Sequence, residues 1–174
     1  MRPVSPLLRS LAGLALALLA PIPALPAQTP GPLLHQPAPQ FVRSDLNHRR
    51  IDLSNYRGKV VLLTFWATWC APCQIEMPRF VQWQGRYGAA GLQIIGVSMD
   101  DDSAPVLALT RKRRVNYPIV MGDAQLGELY GGVLGLPVIF LIDRQGNIAA
   151  RFQGETELGR IERELQRLLR APGQ

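Results

Sequence analysis

The chain of 174 residues contains two cysteines, Cys70 and Cys73, and both lie in Phe65-Trp66-Ala67-Thr68-Trp69-Cys70-Ala71-Pro72-Cys73. Two thiols at this spacing can staple a loop, hold part of a metal site, or exchange electrons with another disulfide. A bridge across so small a loop removes little chain entropy and makes a poor staple. A metal site would lack two ligands, since the only histidines are His35 and His48, so no metal is expected. Thiol–disulfide exchange remains. Exchange proceeds through a thiolate, so the site must lower the pKa of one thiol.

The flanking elements supply a means. Val60-Val61-Leu62-Leu63 precedes the stretch as a buried strand. Pro72, tolerated in the first helical turn, opens a helix that runs from Gln74 to about Tyr87, with Pro78 expected to kink it. Cys70 is then placed at a helix N-terminus, where the dipole and free N–H groups favour negative charge. Cys73 lies one turn further in and should be more buried. Cys70 is therefore expected to attack a substrate disulfide, and Cys73 to resolve the mixed disulfide. No cofactor is expected beyond this redox-active Cys70–Cys73 pair.

Further along, strands and helices alternate. Phe41-Val42 and Arg50 to Leu53 read as a short hairpin, and Leu92 to Ser98 as a second buried strand. A helix from about Ala104 to Arg114 starts after Asp100-Asp101-Asp102 and ends in Arg111-Lys112-Arg113-Arg114, acids and bases both complementing its dipole. Tyr117 to Met121 is a short strand and Gln125 to Tyr130 a short helix, followed by the loop Gly131 to Gly135. Pro137 to Asp143 and Ile148 to Phe152 form a hairpin, and Glu155 to Arg170 a closing amphipathic helix. The order predicts an α/β three-layer sandwich around a central mixed sheet, with an N-terminal β-hairpin.

The first 27 residues read as an export signal, with Arg2 and Arg9 ahead of the apolar run Leu11 to Ala20 and the small residue Ala27 suited to cleavage. An uncleaved anchor is the alternative. The proline-rich residues 28–39 read as a tether, leaving 40–174 as the domain. The formal charge is +6, from 17 Arg and 2 Lys against 13 acids. No dense basic tract is interleaved with aromatics, so no nucleic-acid partner is expected.

The order of elements, with Asn55-Tyr56-Arg57-Gly58-Lys59, the Cys-x-x-Cys stretch with Glu76 and Pro78, and Gly135-Leu136-Pro137 with Phe140-Leu141-Ile142-Asp143, resembles the exported TlpA/ResA-like thioredoxin-fold proteins over about residues 35 to 170. The resemblance implies a cis Leu136–Pro137 bond facing the cysteines, with the Leu136 backbone free to pair with substrate. Trp69 and Trp66 would wall the disulfide, although Trp66 reads equally well as core. Trp69, Pro72, Leu136 and Pro137 are thus the expected substrate contacts. Cytoplasmic thioredoxins carry a buried Asp where this chain has Thr64, which cannot move a proton at neutral pH. Glu76, three residues after Cys73 and on roughly the same helix face, is the expected replacement, the alternative being an ordinary solvent-facing glutamate. Leu136 departs from the Thr of many relatives, which bears on partner choice.

The resulting expectation is a monomeric, exported thiol–disulfide oxidoreductase, placed in the periplasm or on the outer face of the inner membrane. It would reduce disulfides in envelope proteins or apocytochrome c. Its partners would be a disulfide-containing protein substrate and a membrane thiol reductant, since the chain has no nucleotide motif. A redoxin-type peroxidase and a non-enzymatic redox-sensing or chaperone-like module are the competing classes; the peroxidase reading lacks the proline usual before the reactive cysteine.

Overall fold

The computed structural model describes residues 33–171. The expected export signal, residues 1–27, and the start of the proline-rich stretch lie outside the described residues.

Among the described residues, seven strands and four α-helices follow one another. They are β1 (Val42–Ser44), β2 (Arg50–Asp52), β3 (Val60–Trp66), α1 (Ala71–Tyr87), β4 (Leu92–Ser98), α2 (Ser103–Lys112), β5 (Ile119–Met121), α3 (Ala124–Leu129), β6 (Val138–Ile142), β7 (Ile148–Gln153) and α4 (Leu158–Arg170), strand and helix alternating from β3 to β6. The main sheet has the order β5-β4-β3-β6-β7. β3 pairs parallel with β4 and β4 with β5, whereas β6 runs antiparallel to both β3 and β7. The sheet is therefore mixed, as the element order implies. β1 and β2 form the separate N-terminal hairpin, tied to the β5 edge by the Asp45–Val120 bridge and by the Leu46 N–H donating to Ile119 O at 3.0 Å.

All seven residues of β3 are buried, because both faces of the sheet are covered. Val60 and Leu62 point into one apolar layer with Met77, Phe80 and Trp83 of α1, Val106 of α2 and Ile161, Leu165 and Leu168 of α4. Val61, Leu63 and Phe65 point into the other, with Leu126, Tyr130, Phe140 and Ile51 of the hairpin. This gives the three layers. The period-two alternation of a strand places Thr64 on the α1 side with Leu62 and Trp66.

From His35 onward the proline-rich stretch lies against the β6–β7 turn. The His35 N–H donates to Ile148 O at 2.8 Å, the Ala38 N–H donates to Gly146 O at 2.9 Å, and Ala38 is buried. Helix α1 continues through Pro78, which is exposed, so the proline ring faces solvent rather than the sheet.

Candidate active site

β3 ends at Trp66, and the chain turns through Ala67, Thr68 and Trp69 to deliver Cys70 as the N-cap of α1. Cys70 and Cys73 are joined by a disulfide, with Cα atoms 5.3 Å apart. The Cys73 N–H donates to Cys70 Sγ at 3.3 Å. Pro72 stands in the first turn and brings no N–H of its own. Cys70 is 5% exposed and Cys73 3%, so burial alone separates them little. Their positions on the helix separate them more. The Cys70 sulfur takes an amide hydrogen at the positive end of a 17-residue helix, and a thiolate there is stabilised.

Glu76 is buried, with 4% of its surface exposed, which removes the solvent-facing alternative. It lies one turn beyond Cys73 on α1, and its Oε2 has no hydrogen-bond partner among the described residues. Burial, and secondarily the charge of Glu155, push its carboxyl up to about 7. Tyr117, also buried, has its phenol pushed well up by burial and by the nearby Glu76 charge. Thr64 is buried on the same side of the sheet and carries no titratable proton. A carboxyl poised near neutrality, with an oxygen still free, suits it to take and return a proton.

Trp69 stands 71% exposed beside the disulfide, whereas Trp66 is buried in the apolar layer that also contains both cysteines. The two tryptophans thus part ways: Trp66 is core and Trp69 is surface. The Leu136–Pro137 bond is cis. Leu136 packs against the layer holding Cys70 and Cys73, Pro137 is buried, and neither the N–H nor the C=O of Leu136 makes a hydrogen bond among the described residues. An open backbone donor and acceptor can accept an extended chain, as a sheet edge does.

Asp100 was not legible as part of the site. Its carboxylate accepts from the Thr68 N–H at 2.9 Å, from the Thr68 hydroxyl at 2.5 Å and from the Ser98 hydroxyl at 2.7 Å. Asp102, not Asp100, caps α2 by accepting from the Ala104 N–H. Gln74 adds a second brace, donating to Thr68 O at 2.6 Å, and Arg113 donates to Gln74 at 3.4 Å. The turn that presents Cys70 is thereby fixed from the neighbouring strand and from its own helix.

A family model described as the AhpC/TSA family matches residues 34–151. The thiol-disulfide oxidoreductase ResA of Bacillus thuringiensis subsp. konkukian (strain 97-27) is 33% identical over 133 residues, which cover 75% of this chain and 76% of the relative. ResA of Geobacillus kaustophilus (strain HTA426) is 37% identical over 130 residues, 74% of each chain. Among solved structures, a thiol:disulfide interchange protein of Chlorobium tepidum TLS, a thioredoxin family protein, superposes with a TM-score of 0.71 at 27% identity, covering 76% of this chain and 95% of that one.

Proposed function

The chain belongs to the AhpC/TSA family, and on that premise we propose that it is a thiol–disulfide oxidoreductase which reduces disulfides in proteins outside the cytoplasm. The observation that carries this reading is the Cys70–Cys73 disulfide at the N-terminus of α1, with the buried carboxyl of Glu76 one turn further in.

The cycle starts from the dithiol. The Cys70 thiolate attacks one sulfur of the substrate disulfide; a Cys70–substrate S–S bond forms and the other substrate sulfur leaves as thiolate. Cys73 loses its proton to the Glu76 carboxylate and attacks Cys70 Sγ. The Cys70–Cys73 bond forms, and the second substrate sulfur leaves and is protonated. Two electrons have passed to the substrate, and the protein is left as the disulfide seen in the structure. A thiol reductant returns two electrons and two protons. Trp69, Pro72, Leu136 and Pro137 supply the substrate contacts in this reading, Leu136 through its open backbone groups.

Export through residues 1–27, a membrane thiol as reductant, apocytochrome c among the substrates and action as a monomer complete the proposal. Support for export comes from the apolar run Leu11 to Ala20; no helix among the described residues is long and apolar enough to cross a membrane. Insulin reduction driven by dithiothreitol tests the activity. The protein should accelerate it, and Cys70→Ala should abolish the acceleration. Retained activity in that variant would sink the assignment, and peroxide consumption at a comparable rate would favour a peroxidase.

A further inference from the structure

We propose that the arginine-lined groove between β7 and α4 seats the domain on an anionic lipid surface. Four arginines of α4, Arg160, Arg163, Arg167 and Arg170, recur at intervals of three, four and three residues. That spacing makes one stripe along the helix, and all four are exposed while Ile161, Leu165 and Leu168 face the core. Arg151 reaches the same groove from β7, an edge strand. The groove has a volume of about 650 Å³ and is lined by five arginines and one acid, Glu164, a net charge of +4. Glu164 is already bound to Arg167 at 2.6 Å. Guanidinium groups pair with phosphate oxygens two at a time, which suits a headgroup layer.

Two features favour a lipid surface over an acidic protein. The first is where the chain enters. Leu34 lines this groove, and the 32 residues ahead of the described region include the apolar run Leu11 to Ala20. The intervening residues 21–32 reach about 40 Å at full extension. That is comparable with a domain's own diameter, so with residues 1–27 retained as the uncleaved anchor the domain stays within reach of a bilayer. Charge then has to orient it. The second feature is the opposite sheet edge. Asp100, Asp101, Asp102, Asp123 and Glu128 line a cleft of about 750 Å³ at the ends of β4 and β5. An anionic surface attracts the β7 edge and is repelled by this acid-lined cleft, while the exposed Arg111, Lys112, Arg113 and Arg114 form a separate basic run at the end of α2.

The test uses the full chain and sedimentation with vesicles of phosphatidylcholine alone or with about 30% phosphatidylglycerol. The N-terminal apolar run contributes to binding in both, so the quantity read is the ratio of anionic to neutral partition. The wild-type ratio should be about tenfold or more and fall to about twofold in R160Q/R163Q/R170Q. Raising salt from about 0.1 M to about 0.5 M should lower the wild-type ratio to the same level without any substitution. Insulin reduction should be equal in the two proteins; its absence from both would count against the oxidoreductase reading and leave the lipid result standing. An unchanged ratio in the folded variant overturns the proposal. So does a wild-type ratio near one, with fluorescein-labelled decaglutamate bound by wild type and not by the variant, which assigns the groove to an acidic protein segment.

Discussion

Asp100, two residues past the end of β4, holds Thr68 by both its N–H and its hydroxyl, at 2.9 and 2.5 Å. Thr68 is two residues before Cys70, so the carboxylate of one strand's end fixes the turn that presents the sulfur. Asp100→Ala leaves the Thr68 N–H and hydroxyl without this partner and should cost about 2 kcal/mol of stability. Insulin reduction should fall with it, because the turn loses its brace. Urea unfolding of the oxidised protein measures the first effect; a loss under about 0.5 kcal/mol would show the network to be incidental.

The raised carboxyl of Glu76 has a sign that can be checked. Its pKa lies at about 7 in the folded protein against 4.5 for an unperturbed glutamate, so between these values the folded protein holds the extra proton. Unfolding then releases protons, and stability falls as pH rises. The stabilisation is full below about pH 4.5 and lost as pH passes about 7. After allowance for solvent screening it amounts to roughly 2 kcal/mol. Glu76→Gln should flatten this part of the profile and be the more stable protein at pH 8. Unfolding of the oxidised forms isolates the effect, since the bridged cysteines do not titrate; parallel profiles for the two proteins would show that Glu76 is not the group responsible.

Much of the frame was readable from the chain. The continuous apolar runs of β3 and β4 and the three-to-four spacing of α4 placed the core elements within a few residues of where they lie. The export signal falls on residues the structure does not describe. Two site features were hidden for separate reasons. Three consecutive aspartates all satisfy a helix-cap pattern, and only the tertiary position of Thr68 shows which of them turns the other way. A strand buried on both faces has no alternation to tell whether Trp66 faces core or site. Glutamates on helices normally face water, and Glu76 was picked out by its spacing from Cys73, by the vacant proton role at Thr64 and by the family resemblance. The cis Leu136–Pro137 bond rested on resemblance alone.

Gly96 of β4 is held small by Ile119 and Trp66. A Cβ there would stand 3.0 Å from Trp66 Nε1 and would also collide with the Ile119 side chain. Gly96→Ala should destabilise by about 1–3 kcal/mol through overpacking beneath the site. Thermal unfolding against wild type checks it, and an unchanged midpoint would mean that Ile119 and Trp66 can shift at no cost.

Trp69 is exposed in the free protein and so contributes little to its stability. Trp69→Ala should move stability by less than about 0.5 kcal/mol. If the indole is an anchor for protein substrates, KM for insulin should rise about tenfold with a smaller change in kcat. Equal KM values would remove Trp69 from the docking surface.

The central claim is the division of labour between Cys70 and Cys73. Reduced Cys73→Ser and Cys70→Ser variants, each mixed with the same disulfide-containing protein and analysed by mass spectrometry without reductant, test it directly. Cys73→Ser should accumulate a mixed disulfide through Cys70, because nothing resolves it, while Cys70→Ser should form little. Adduct forming on Cys73 in Cys70→Ser, and not on Cys70 in Cys73→Ser, would contradict the assignment.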